Sequence, residues 1–195
     1  WVLDIGTGCG ILALMTAQKT DAFIDAIDID ETSVHIAGIN VQASKWNHRI
    51  SVIHSDVTTY HSFVLYDMII SNPPFFTNCL QSHNIAKRRA KHFSVLTLYD
   101  LFRAIYRLLT DDGVFYMIFP CAGLGQCEEV AKQNLLFLNR KMQIFPTPEK
   151  PCNRVLLAFQ KQRKRMQCEE MCIRNLDGEY SDAYKYFTRD FYLKF

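Results

Sequence analysis

Long apolar segments are absent from this chain of 195 residues. No run of about 18 apolar residues occurs, so no membrane-spanning helix is predicted. No charged segment precedes an apolar stretch at the start, so no signal peptide is predicted either. Internal repeats and low-complexity stretches are lacking as well. With 49% hydrophobic and 22% charged residues, the composition suits one globular domain and excludes disordered or collagen-like proteins.

The sequence also lacks the even number of clustered cysteines that is typical of a disulfide framework. Its seven cysteines are odd in number and scattered, which favours reduced thiols in a cytosolic protein over a disulfide framework. Cys168 and Cys172 lie one helical turn apart, but no second Cys or His pair nearby completes a zinc site. We therefore expect a cytoplasmic protein with reduced thiols and no bound metal ion.

What the chain does have is an uneven distribution of charge. Residues 1–81 hold 3 basic and 8 acidic side chains, whereas residues 82–195 hold 19 basic and 12 acidic ones. The first part therefore carries a net charge of −5 and the second a net charge of +7. This asymmetry indicates an acidic partner for the second part.

Short apolar runs alternate with segments of helical periodicity. Strands are predicted at residues 1–5, 23–29, 50–54, 67–71, 114–119, 141–145 and 155–159. Helices are predicted at residues 11–19, 31–45, 97–109 and 123–138, and a turn at 110–113. Such alternation predicts an α/β fold with a seven-stranded, mostly parallel sheet and helices on both faces. The last two strands are joined by about nine residues, too few for a crossover helix, so the last strand is predicted antiparallel.

The chain starts inside an apolar run without an initiator Met, so we expect it to be a fragment whose N-terminal part is truncated. Residues 1–161 are assigned to the α/β domain. Residues 162–195 are assigned to a basic and aromatic tail that packs on the same domain or extends it. We expect a monomer.

A glycine-rich turn, Gly6, Gly8 and Gly10, follows the first strand. Ligands of such sheets bind at the carboxyl ends of the strands, where glycine lets the backbone approach closely. The spacing matches neither a dinucleotide fingerprint nor a phosphate loop of the GK(S/T) type. Asp28 ends the second strand, and its carboxylate is suited to accept hydrogen bonds from ribose hydroxyls. Asp56 follows the third strand, and its carboxylate is suited to an adenine amino group. Together these residues favour an adenosine-bearing ligand.

These segments resemble the motifs of class I S-adenosylmethionine-dependent methyltransferases: Leu3-Asp4-Ile5-Gly6-Thr7-Gly8-Cys9-Gly10, Ala26-Ile27-Asp28-Ile29-Asp30 and Ser55-Asp56. The resemblance implies a Rossmann-like methyltransferase domain over residues 1–161, with S-adenosyl-L-methionine as its cofactor. It also implies that Asp4 lies close to the methionine end of the cofactor. The resulting cofactor-binding set is Asp4, Gly6, Gly8, Gly10, Asp28, Asp56 and Asn72.

Asn72-Pro73-Pro74-Phe75 follows the fourth strand, beside the predicted cofactor edge. A planar amino nitrogen is a poor nucleophile because its lone pair is delocalised. The Asn72 side-chain oxygen and the Pro73 carbonyl can accept its two hydrogens and turn the lone pair toward the methyl group. Phe75 offers a flat face on which an extruded base can stack. We therefore predict Asn72, Pro73 and Phe75 as catalytic residues and Pro74 and Phe75 as substrate-binding residues.

The tetrapeptide is similar to the signature of amino-group methyltransferases, whose substrates include adenine N6, cytosine N4 and protein glutamine. A basic segment follows it and is suited to phosphate contacts: Lys87, Arg88, Arg89 and Lys91. A second basic cluster, residues 161–165, follows the last strand. The wider pattern resembles the tRNA1(Val) adenine-N6 methyltransferases in the segments Ile69-Ile70-Ser71-Asn72-Pro73-Pro74-Phe75-Phe76, Arg89-Ala90-Lys91-His92, Leu108-Leu109 and Phe119-Pro120.

This resemblance covers nearly the whole chain, including the aromatic tail. It implies methyl transfer to the N6 amino group of adenine 37 in tRNA1(Val), with tRNA as the partner and no membrane or metal involved. Three alternatives stay open at this point. They are a release-factor-type protein-glutamine N5-methyltransferase, a DNA adenine methyltransferase, and a noncatalytic cofactor-binding or RNA-binding module.

Overall fold

A computed structural model describes residues 1–73 and 96–193 of the chain. The strands are β1 Val2–Ile5, β2 Ile24–Asp28, β3 Ile50–His54, β4 Tyr66–Ser71, β5 Leu109–Pro120, β6 Phe137–Phe145, β7 Arg154–Gln160 and β8 Gln167–Cys172. The α-helices are α1 Ile11–Lys19, α2 Glu31–Gln42, α3 Leu98–Leu108, α4 Leu124–Gln133 and α5 Asp182–Thr188. Short 3₁₀ turns occupy Asn47–Arg49 and Cys121–Gly123. None of the described helices combines the length and the hydrophobicity that a membrane span requires.

The strands form one mixed sheet in the order β3-β2-β1-β4-β5-β7-β6-β8. Strands β3, β2, β1, β4 and β5 pair in parallel, and β7 is antiparallel to both β5 and β6. The predicted Rossmann-like α/β fold and the antiparallel pairing of β6 with β7 are confirmed. The predicted number of seven strands is wrong by one, because β8 pairs in parallel with β6 and extends the sheet.

The strand directions define one edge of the sheet that matters for function. Seven strands run the same way, and only β7 runs against them among the described strands. The carboxyl ends of β1 to β6 and of β8, together with the amino end of β7, therefore lie along one edge. We call it the carboxyl edge and call the opposite one the amino edge.

Two apolar layers hold the helices on the sheet. Helices α3 and α4 pack on one face, where Phe102 contacts Phe115 and Phe159 edge-on at centroid distances of 5.9 and 5.0 Å. All three rings are fully buried. A smaller cluster, which includes Val2, Ala13 and several residues of α1, α2 and β1 to β3, lies between the other face and its helices. Burying a large apolar side chain contributes about 1.5–3 kcal/mol, so these layers fix the frame that carries the site.

The predicted turn at residues 110–113 lies inside β5. The partner of Tyr66 on this strand is Leu109, but that of Met68 is Val114, so the intervening residues form a bulge. Leu109 is fully buried, and a Cβ atom at Gly113 would lie 2.8 Å from its side chain. A glycine at this position therefore lets the strand fold tightly over Leu109, and residues 110–113 belong to the strand instead of forming a separate turn.

The predicted helix 123–138 is also too long, because α4 ends at Gln133. The Asn134 side-chain amide donates to the Val130 carbonyl at 2.9 Å, and Leu135 has a φ of 58°, which turns the chain out of the helix. The apolar residues that follow start β6. A short apolar run is compatible with either helix or strand, which explains the error.

A disulfide joins Cys121 to Cys152, with a Cα–Cα distance of 6.1 Å. The expectation of reduced thiols is therefore wrong for this pair, while Cys9, Cys127, Cys168 and Cys172 are free. Pairing of Pro120 with Arg154 on antiparallel strands brings the two cysteines together at the carboxyl edge. The spacing of the cysteines along the sequence does not reveal this contact, because it depends on the pairing of two strands.

Candidate active site

The glycine turn connects β1 to α1 at the carboxyl edge. Gly8 and Gly10 have φ values of 57° and 84°, in the left-handed region that favours glycine. A Cβ atom at Gly10 would lie 3.3 Å from the Cβ of Ala37, so α2 packs directly against this turn. At Gly8, by contrast, a Cβ atom would meet no described atom within 4 Å. The turn therefore has the backbone shape and the open space that a closely approaching ligand requires.

Asp28 links the end of β2 to this turn. Its Oδ2 accepts a hydrogen bond from the Gly8 backbone N–H at 2.9 Å, and its Oδ1 accepts one from the Asp30 N–H at 3.0 Å. A carboxylate offers about four lone-pair sites, so acceptor capacity is left for ribose hydroxyls. The geometry fits the predicted role of Asp28 and also shows that this carboxylate fixes the shape of the glycine turn.

Asp56 lies one strand further along the same edge. The Ser55 N–H donates to the Asp28 carbonyl at 2.9 Å, which brings the two acids into neighbouring positions. Asp56 Oδ1 accepts from the backbone N–H and the hydroxyl of Thr58, both at 2.8 Å. This local turn orients the carboxylate, whose other lone pairs can accept hydrogens from an adenine amino group.

Ile29 is a further candidate for the cofactor site that the sequence alone did not single out. It directly follows Asp28, its side chain is 43% exposed, and its carbonyl oxygen is 2.9 Å from the His54 Nε2. An exposed branched apolar side chain next to Asp28 offers a face against which an adenine ring can pack. The sequence signal that could have identified Ile29 is its position directly after Asp28, the acid that ends β2.

Asp4 lies within β1 and is completely buried. Desolvation by burial raises the pKa of its carboxyl from 3.8 to about 6, partly opposed by the Thr7 hydroxyl, which donates to Oδ2 at 2.6 Å, and by the Ala13 backbone N–H. Its Oδ1 has no hydrogen bond of standard geometry among the residues described. A buried acceptor without a partner is costly, and a donor of the ligand would satisfy it. Asp4 therefore fits the predicted contact with the cofactor.

Asn72 and Pro73 leave the sheet at the end of β4, beside β1. The Ser71 hydroxyl donates to the Ile5 carbonyl at 2.9 Å, which ties the carboxyl end of β4 to that of β1. Asn72 is exposed and Pro73 is buried, so the amide is presented from an anchored backbone. The remaining predicted residues of this region lie outside the described ranges: Pro74, Phe75, Lys87, Arg88, Arg89 and Lys91.

An apolar cavity of about 560 Å³ extends from Asn72 along α1. Its floor includes Ile70 of β4 and Tyr116 of β5, and Phe191 of the C-terminal tail lines it as well. The tail is fixed there by an ion pair between Lys19 and Asp190. Asn72 thus stands where the carboxyl edge meets an apolar groove on the sheet face.

The second basic cluster, residues 161–165, follows the carboxyl end of the antiparallel strand β7 and therefore lies at the amino edge. Lys161 pairs with Asp111 at 3.1 Å, and the Arg163 guanidinium lies 5.5 Å from the centroid of the Phe137 ring. Asn72 lies at the carboxyl edge, so the length of the strands separates it from these residues. The structure therefore does not bring this cluster to the predicted substrate site.

Four neighbouring strand ends, in the order β3-β2-β1-β4, thus carry Asp56, Asp28, the glycine turn and Asn72. In the described ranges, no group of three or more His, Cys, Asp or Glu side chains could hold a metal ion. A mixed sheet of this order with this arrangement of strand ends defines the class I methyltransferases. Their methyl donor is S-adenosyl-L-methionine.

The comparison with solved structures agrees with this class. A predicted O-methyltransferase from Agrobacterium tumefaciens has a TM-score of 0.75 at 14% identity, covering 96% of this chain and 88% of that chain. At this identity the similarity concerns the fold alone. The sequence profile of the methyltransferase small domain matches residues 1–118.

Curated relatives define the family more closely. A protein of Proteus mirabilis (strain HI4320) named tRNA1(Val) (adenine(37)-N6)-methyltransferase is 36% identical over 200 residues, covering 98% of this chain and 79% of the relative. A protein of the same name from Trichodesmium erythraeum (strain IMS101) is 35% identical over 199 residues, covering 100% and 83%. The chain belongs to the methyltransferase small domain family and, within it, to the tRNA1(Val) (adenine(37)-N6)-methyltransferases.

Proposed function

We propose that this enzyme transfers a methyl group from S-adenosyl-L-methionine to the N6 amino group of adenine 37 in tRNA1(Val). The observation that carries the proposal is the position of Asn72, exposed at the end of β4 and one strand away from the glycine turn. The names of the relatives supply the substrate. Because tRNA is the substrate, the proposed place of action is the cytoplasm.

In this proposal, the cofactor lies across the carboxyl ends of β1, β2 and β3. Asp28 accepts from its ribose hydroxyls, Asp56 from its adenine amino group and Asp4 from its methionine end, while Gly6, Gly8 and Gly10 allow close backbone approach. When bound, S-adenosyl-L-methionine supplies an electrophilic methyl group on a sulfonium centre. The fit rests on open space at the glycine turn and on acceptor capacity left at these acids.

Asn72 and Pro73 act on the acceptor nitrogen. The Asn72 side-chain oxygen and the Pro73 carbonyl hold the two N6 hydrogens, so the nitrogen becomes pyramidal and its lone pair, no longer delocalised into the ring, faces the methyl group. These two acceptors also stabilise the positive charge that develops on N6 during transfer. The proton is released after the new N–C bond has formed, and therefore no strong general base is required.

The substrate side of the proposal uses residues outside the described ranges. Phe75 and Pro74 are assigned to the extruded base, and Lys87, Arg88, Arg89 and Lys91 to the phosphates around it, from sequence alone. We propose that residues 162–195 belong to the same domain as residues 1–161. Pairing of β8 with β6 supports this assignment.

Methyl transfer from labelled cofactor to total tRNA tests the proposal. Wild-type enzyme is expected to label tRNA, and Asn72→Ala is expected to reduce kcat by about 100-fold or more. Calorimetry should show that the variant still binds S-adenosyl-L-methionine within a few-fold of the wild type. Labelling of a release factor instead of tRNA would favour the protein-glutamine alternative, and wild-type turnover by Asn72→Ala would refute the mechanism.

A further inference from the structure

We propose that Arg174, Tyr180 and Tyr184 form a preorganised surface on which an unpaired base of the RNA loop stacks. This inference deepens the proposed function and rests on it, because it names where the tRNA contacts the C-terminal part of the chain. We call these three residues the Arg174 stack. Its guanidinium lies 4.0 Å from the centroid of the Tyr180 ring, and the rings of Tyr180 and Tyr184 are stacked at 5.1 Å and 15°.

The backbone holds this stack in place. Arg174 and Tyr180 pair across a tight antiparallel turn, so their side chains project from neighbouring positions. The turn is fixed to the sheet by the Arg174 N–H, which donates to the Pro146 carbonyl at 3.1 Å, and by the Ser181 hydroxyl, which donates to the Cys172 carbonyl at 2.5 Å. A surface fixed before binding loses little conformational entropy when a ligand arrives.

The position of the stack fits an RNA that reaches Asn72. Arg174 follows the carboxyl end of β8, so it lies on the same edge of the sheet as Asn72. Four strand spacings separate β4 from β8, which corresponds to about 19 Å along the edge. A single-stranded loop of a few nucleotides spans such a distance while one of its bases is extruded at Asn72.

The chemistry of the stack favours a base over a phosphate. Arg174 is exposed, but its Nη1 donates to the Gly178 carbonyl at 2.6 Å, and the acids Asp177 and Glu179 flank it in the same turn. The local charge is therefore not positive enough to attract phosphates strongly. Unpaired bases of RNA loops stack on aromatic rings and on arginine planes, which is the arrangement present here.

The hydroxyl contacts strengthen the aromatic part of this surface. Tyr184 and Tyr192 share a hydrogen bond of 2.9 Å between their hydroxyls, and this bond raises the pKa of Tyr184 to about 12. The Tyr184 phenol thus stays neutral at physiological pH, so it carries no negative charge that would repel RNA. Tyr192 is 45% exposed, which extends the aromatic surface beyond the three stacked groups.

The chain offers a matched control. Arg163 is also an exposed arginine over an aromatic ring, 5.5 Å from the centroid of Phe137, but it lies at the amino edge. We expect Arg174→Ala and Tyr180→Leu to raise the Kd for tRNA about five- to tenfold, while Arg163→Ala leaves it unchanged. Tyr180→Phe keeps the ring and should bind like the wild type. Calorimetric affinity for S-adenosyl-L-methionine and the Tm should change little in Arg174→Ala.

A cycle with modified RNA isolates the stacking. The probe is an anticodon stem-loop in which one loop base at a time is removed to leave an abasic site. Removal of one particular base should weaken binding to the wild type about fivefold or more and to Tyr180→Leu by less than twofold. The inference is overturned if every abasic position weakens both proteins equally, or if Arg174→Ala binds as the wild type does. Absence of tRNA methylation by the wild type would instead refute the proposed function.

Discussion

Replacement of Asp4 tests the electrostatics of the site most sharply. Burial raises the pKa of its carboxyl from 3.8 to about 6, and at 1.36 kcal/mol per unit an ionised carboxylate costs the folded state about 3 kcal/mol. Because the folded state binds this proton more tightly than the unfolded state, the cost is absent below the unfolded pKa and complete above the folded one. The contribution of Asp4 to the free energy of unfolding therefore falls as the pH rises from 4 to about 7.

Asp4→Asn removes this pH dependence. We expect the free energy of unfolding of the variant, minus that of the wild type, to be about 2–3 kcal/mol more positive at pH 8 than at pH 4. Any constant cost of the buried amide cancels in this difference. The assay is urea unfolding of both proteins at the two pH values without cofactor, followed by circular dichroism.

Asp30→Asn is a control of opposite sign. Hydrogen bonds from Ser33 lower the pKa of Asp30, so its carboxylate contributes stability above the unfolded pKa and loses it as pH falls. The variant-minus-wild-type difference should therefore be more negative at pH 8 than at pH 4. If the Asp4→Asn difference is the same at both pH values, the Asp4 carboxylate is not desolvated in the folded state. Added S-adenosyl-L-methionine should stabilise the wild type at pH 8 more than it stabilises Asp4→Asn.

Two further predictions concern the cofactor and the disulfide. Asp28→Ala removes both the ribose acceptor and the hydrogen bond from the Gly8 N–H. Calorimetry should therefore show that the variant binds S-adenosyl-L-methionine at least tenfold more weakly than the wild type. An unchanged affinity would contradict the ribose role. Cys152→Ser opens a loop between cysteines 31 residues apart, which should lower the free energy of unfolding by about 3–4 kcal/mol in urea titrations under oxidising conditions. Equal stability of the variant and the oxidised wild type would argue against a disulfide with Cys121.

The part of the site built on strand ends could be predicted from the sequence because it depends on local signals. The boundaries of β3 and α1 match the prediction, and the acids and glycines stand where their strands end. Once the strands run in parallel, their carboxyl ends share an edge. Hydrophobic periodicity and strand-terminating residues such as Asn72-Pro73 are therefore sufficient to predict that these residues lie close together.

Features that depend on contacts distant in sequence were missed. The pairing of β8 with β6 joins residues 167–172 to residues 140–145, and no periodicity marks that pairing. The disulfide follows from the pairing of antiparallel strands β5 and β7. Placement of residues 161–165 at the amino edge follows from the reversed direction of β7. Charge along the sequence identified these residues as basic but could not give their side of the sheet.

Mapping of the methylated nucleotide shows directly whether the enzyme acts on adenine 37. Purified enzyme and S-adenosyl-L-methionine are incubated with an unmodified tRNA1(Val) transcript, and the anticodon fragment is sequenced by mass spectrometry. We expect one added methyl group, on N6 of adenine 37, and no such product with Asn72→Ala or with a transcript that carries guanine at position 37. A methyl group at another position, or equal methylation of the guanine-37 transcript, would contradict it.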